Sequence, residues 1–297
     1  MPNITWFISV FVLLFVGWLI FIGPQEISTQ KPFLEPPSPL GSGKTYGPNS
    51  LVSNFENTNT KTTGIEEVGE GTPATDPLFG GQVSLVLGSS GNSANPNVEY
   101  VGVIASPNNT HPINITGWRL KSAITGGETS IGQGTYLFYS GKVNFEQPIF
   151  LNPGERAIIV TGRSPVGVSF KLNSCTGFLE QFQNFAPKLP LQCPHPLEEN
   201  YPTGLNGLND ACVDYLKSFP RCAAHIKAIP VQFGGVCQDF IQTITYTGCL
   251  ERHKNDSDFY KPEWRVFLKR DEELWKDRRE TIHLLSDSGK LVNSVSY

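Results

Sequence analysis

Between residues 113 and 121 the chain reads Ile113-Asn114-Ile115-Thr116-Gly117-Trp118-Arg119-Leu120-Lys121, and this stretch narrows the possible folds more than any other. Ile113 and Ile115 alternate with Asn114 and Thr116, then Trp118 and Leu120 with Arg119 and Lys121, the two-residue period of a strand with one buried face. The phase slips once, at Gly117. The slip predicts a β-bulge there, with the glycine tolerating the bend and Trp118 re-aimed into a core.

Similar short runs flank this segment, at Gln82–Leu87, Val98–Ala105, Thr135–Tyr139, Pro148–Leu151 and Glu155–Thr161, separated by turn-prone clusters such as Pro107-Asn108-Asn109 and Asn152-Pro153-Gly154. Alternation fades near Leu172 and returns at Glu263–Leu268, Glu280–Leu285 and Lys290–Tyr297, the last two joined by a tight connection at Asp287-Ser288-Gly289. Many short strands at this spacing predict an all-β sandwich or barrel, and 39% hydrophobic residues suffice for its core.

The interruption, residues 172–261, follows a different period. Cys212, Tyr215, Leu216 and Phe219 fall at i, i+3, i+4 and i+7, as do Cys237, Phe240, Ile241 and Ile244, so each set makes one apolar helical face. Asn209 and Asp210 are suited to cap the first helix. Cys175, Cys212 and Cys237 each open a Cys-x-x-aromatic-aliphatic unit, and Cys193, Cys222 and Cys249 follow in stretches that read as loops. The six cysteines, an even number without a Cys-x-x-Cys pair, point to three disulfides formed in an oxidising compartment, with helix-to-loop pairing expected and the connectivity open.

At the other end, Ile4–Gly23 is an uncharged apolar run long enough to cross a bilayer as a helix. A single membrane-spanning anchor (domain 1–23) is expected, with the lipid bilayer as partner through residues 4–23; a cleaved signal peptide is the rival. The cysteines place the C-terminal bulk of the chain outside the cytoplasm. Residues 24–80 hold eight prolines among many Gly, Ser, Thr and Asn and read as a disordered linker. Gly41-Ser42-Gly43-Lys44-Thr45 within it looks like the end of a phosphate-binding loop but lacks the earlier glycine and the flanking strand and helix.

Four motifs in order, Glu99-Tyr100-Val101, Thr116-Gly117-Trp118-Arg119-Leu120, Leu151-Asn152-Pro153-Gly154-Glu155 and Glu280-Thr281-Ile282 continuing to Leu284-Leu285 and Asp287-Ser288-Gly289-Lys290-Leu291-Val292, resemble the lamin tail domain. The resemblance implies an immunoglobulin-like β-sandwich over 81–171 and 262–297, with the small disulfide-bonded α-helical insertion at 172–261. It also implies a binding or scaffolding role, because that family offers no shared catalytic residues.

No cofactor is expected. The net charge of -4 argues against nucleic acid as a partner, leaving a protein, a glycan or an envelope component. His195, His225 and His253 follow cysteines closely, but their spacings differ and disulfides would consume the thiolates a zinc site needs. Glu251, Arg252, His253, Asp256 and Asp258 form the densest polar cluster; Arg252, His253, Asp256 and Asp258 are the candidate site residues should the protein be a hydrolase, with a solvated loop as the plainer reading. Five basic and five acidic residues in 269–280 predict a salt-bridged surface. Asn3, Asn108, Asn114 and Asn255 lie in glycosylation triplets.

Overall fold

A computed structural model describes residues 11–15, 73–88, 94–204 and 207–297. The chain divides into two units, 1–67 and 68–297. In the first, residues 11–15 are helical and exposed. The rest of the expected span 4–23, and the expected linker up to residue 72, lie outside the described residues. Among the described residues no helix is long and apolar enough to cross a membrane.

The second unit is mostly β-sheet. Its strands are β1 Val83–Leu87, β2 Tyr100–Ala105, β3 Ile113–Asn114, β4 Arg119–Ser122, β5 Glu128–Ser130, β6 Phe150–Leu151, β7 Arg156–Val160, β8 Phe170–Asn173, β9 Tyr260–Phe267, β10 Thr281–Leu285 and β11 Leu291–Ser296. A five-stranded sheet runs β1-β2-β7-β9-β8, a four-stranded sheet β11-β10-β4-β5, and β3 pairs with β6 alone. All neighbours are antiparallel except β7 and β9.

Alternation explains how the layers meet. In β2, β7 and β9 the side chains of Val101, Val103, Ala157, Ile159, Trp264 and Val266 point to one face, where they share a core with Trp118, Leu120, Ile282, Leu284 and Val292. Tyr100, Val160, Phe170, Leu172 and Phe267 point to the opposite face, into a second core built with the cysteine-rich segment. The middle strands β2 and β7 are therefore covered on both sides and read as nearly continuous apolar runs. The Asn293 side chain links the two sheets at one margin: its Oδ1 accepts from the Leu85 N–H at 3.2 Å and its Nδ2 donates to Val83 O at 3.2 Å. This occupies backbone groups that an edge strand would otherwise expose.

Three expectations need correction. The 113–121 stretch is not one bulged strand, because the chain leaves β3 after Asn114, turns at Gly117 (φ +85°) and enters β4 at Arg119. β3 and β4 belong to different sheets, yet Ile115 and Trp118 are both buried, so the slip in phase marks a change of sheet. Thr135–Tyr139 forms no strand; Thr135 makes an isolated bridge to Phe170. Residues 73–80, assigned to the linker, belong to the folded unit: Thr75 bridges Leu291, and Phe79 meets Trp118 edge-on with centroids 4.8 Å apart. The hairpin at Asp287-Ser288-Gly289 is present, with Ser286 N–H donating to Lys290 O at 2.8 Å, and β11 pairs with β10 as expected.

Candidate functional site

The cysteine-rich lobe leaves the sheet after β8 and returns at β9, and Ser174 N–H donates to Phe259 O at 2.9 Å across its base. It holds helices α1 Asp210–Lys217, α2 Gly235–Gln242 and α3 Tyr246–His253, with shorter 3-10 turns including Thr176–Gln181. The Asn209 side chain caps α1 by accepting from Cys212 N–H at 2.8 Å. All six cysteines are paired, as Cys175–Cys249, Cys193–Cys222 and Cys212–Cys237. The helix-to-loop expectation fails in two of them: Cys212–Cys237 joins α1 to α2, and Cys193–Cys222 joins two segments outside the helices. Cys249 lies within α3, not in a loop. At Gly177 an added Cβ would stand 2.4 Å from Cys222 Sγ, so only glycine lets this turn pack on the disulfide.

The polar cluster assembles around a residue that the sequence did not single out. Glu199, buried, accepts from Arg252 Nε at 2.7 Å and lies 3.0 Å from His253 Nε2. The other ring nitrogen, Nδ1, lies 2.7 Å from Asp256 Oδ2. Burial alone would lower the imidazole's pKa, but the Asp256 and Glu199 carboxylates outweigh it and hold the value above the usual 6.5. Both ring nitrogens are thus committed to carboxylates, which favours the charged, doubly protonated ring. Asp258 does not join them; its side chain is exposed, with Lys261 Nζ 3.8 Å away.

Glu199, Cys249 and His253 place possible ligand atoms within 4.8 Å of one another, but the Cys249 sulfur is bound to Cys175 and the carboxylate holds Arg252. This set therefore does not fit a metal in the oxidised protein. His195 caps a 3-10 turn through Nδ1, which accepts from Leu197 N–H at 3.2 Å, and its Nε2 lies 3.0 Å from Phe219 O. His225 stacks on Phe219 with ring centroids 5.1 Å apart. Both are packing and capping residues here. The 269–280 segment carries the expected ion pairs, Arg163 to Asp271 at 2.7 Å and Lys276 to Glu273 at 3.9 Å, over a buried Leu274 and Trp275.

A cleft of about 530 Å³ opens where the lobe meets the loops of the β body. Phe138, Pro165 and Val166 form one wall; Phe178, Leu179, Phe182 and Tyr246 form the other. Tyr246 Oη donates to Phe138 O at 2.8 Å and locks the floor, and burial pushes its phenol above the usual range. Gln181 braces the outer wall, donating through Nε2 to Ala224 O at 3.0 Å and accepting from Ala224 N–H at 2.7 Å. Phe182 remains 61% exposed at the rim. No histidine or carboxylate is among the residues lining the cleft. What this arrangement can do chemically is take up an apolar group beside a few hydroxyls and backbone groups.

The cleft is not legible in the sequence because its walls come from segments far apart in the chain. The only local hint is Phe178-Leu179 followed by Phe182, too many large apolar groups for one short turn. Compared with protein-family models, with curated proteins and with solved structures, the chain matches none of them.

Proposed function

We propose that this chain is a membrane-anchored, extracytoplasmic binding module without enzymatic activity, and that its cleft grips an apolar side chain of a partner protein. The β body is read as a lamin-tail-like, immunoglobulin-like sandwich, on the strength of the four motifs and of two sheets sharing one core. Three disulfides fit an oxidising setting outside the cytoplasm, and an apolar run at 4–23 fits an anchor. The observation that carries the reading is the braced apolar cleft with Phe182 held open at its rim. Such a concave, preformed site binds with little ordering cost.

The alternative, a hydrolase using His253, rests on the Asp256–His253 contact. It is disfavoured because the second ring nitrogen faces Glu199 rather than a nucleophile. A random peptide library displayed on phage and panned on the intact protein tests the two. The binding reading expects enriched peptides with a common apolar or aromatic residue, whose affinity falls at least tenfold in Phe182→Glu and is unchanged in His253→Ala. Peptides indifferent to Phe182→Glu would refute it, as would ester or amide turnover abolished by His253→Ala.

A further inference from the structure

One pair of buried reactive groups lies away from the cleft. Lys171 on β8 and Glu155, one residue before β7, are both buried, and β9 runs between their strands. Lys171 Nζ stands 2.7 Å from Oε1 and 2.7 Å from Oε2 of Glu155. The nitrogen is therefore equidistant from the two oxygens and bridges both, not one alone. Trp264 and Tyr136 wall the pair, with ring centroids 5.5 Å and 5.8 Å from Nζ. The Asn152 N–H donates to Glu155 Oε2 at 3.1 Å.

We propose that Lys171 and Glu155 condense into an intramolecular amide that staples β8 to the start of β7. Transfer of one proton from Nζ to Oε1 gives a neutral amine facing a neutral acid, the form from which condensation starts. The amine lone pair attacks Cδ and the C–N bond forms. The carbonyl electrons move onto Oε2, where the Asn152 N–H meets the developing charge. A proton passes from nitrogen to Oε1, the Cδ–Oε1 bond breaks, the carbonyl re-forms and water leaves. One ammonium and one carboxylate become one amide and one water, with no oxidant, reductant or cofactor. Holding the two groups side by side raises their effective concentration, and the aromatic walls limit the access of water that would reverse the step. The ring closes residues 155–171 and ends four residues before Cys175, whose disulfide reaches α3. The amide would shorten the covalent path from the start of β7 to α3 by bypassing residues 156–170.

The experiment is a tryptic digest of the folded full-length protein, reduced and alkylated, then read by tandem mass spectrometry. The amide blocks cleavage after Lys171, so the expected product is a branched species joining 143–156 to 164–188, lighter than the two peptides together by one water. It should disappear in Lys171→Arg, which keeps the charge but not the amine. Full recovery of linear 143–156 and 164–171 from the wild-type digest would overturn the proposal whether or not the variant folds.

Discussion

Glu99 offers the sharpest test of how the β body is assembled. Its carboxylate lies beneath the 269–280 segment, accepting from Leu274 N–H at 3.0 Å, and burial pushes its pKa up from 4.5 to about 7, only partly offset by hydrogen bonds that include the Leu274 and Trp275 N–H groups. Because the folded value lies above the unfolded one, the folded protein holds a proton between about pH 4.5 and 7 that the unfolded chain has released. Stability therefore falls as pH rises through that window. The shift of 7 − 4.5 is worth about 3 kcal/mol at 1.36 kcal/mol per unit, and water reaching the loop brings it to roughly 2 kcal/mol. Glu99→Gln keeps an acceptor for Leu274 but has no proton to lose. Urea denaturation of the intact chain, followed by the fluorescence of buried Trp118, Trp264 and Trp275, should give equal stability for the two proteins near pH 4, and a variant more stable by roughly 2 kcal/mol near pH 8. A difference that stays constant across that range would show that the carboxyl titrates normally and that the loop does not bury it.

The lobe supplies three more tests. His253, held above its usual 6.5, contributes stability that is present in full below that value and fades as pH rises through the folded one; His253→Gln should therefore lower the denaturation midpoint near pH 6 and much less near pH 9. Replacing Cys175 and Cys249 together by serine opens a disulfide spanning 74 residues, and chain entropy puts the loss at about 4 kcal/mol; an unchanged urea midpoint would mean that this cross-link does not stabilise the lobe. Asn209→Ala removes the α1 cap and should cost about 1 kcal/mol by the same measurement, while Asn209→Asp should cost little.

What can be read from the sequence divides by the distance between interacting residues. The faces of α1 and α2, the Asn209 cap and the β10–β11 hairpin are fixed by neighbours within one or two turns, so periodicity and capping rules find them. α3 escapes because Gly248 weakens its helical signal. His253 and Asp256, three apart, are visible as a cluster, whereas Glu199, the residue that organises it, lies 54 positions away. β8 is hidden for the same reason in a stronger form. Phe170, Lys171, Leu172 and Asn173 alternate apolar with polar over only four residues, and all four are buried, so the polar pair faces the interior and the run is too short to stand out. Lys171 can sit there only because Glu155 reaches it from 16 residues earlier, across β9. A buried charge implies a partner brought by topology, and here that partner lies within hydrogen-bonding reach. The contact that lets Lys171 sit in β8 is therefore the one whose chemistry can be followed in a mass spectrum.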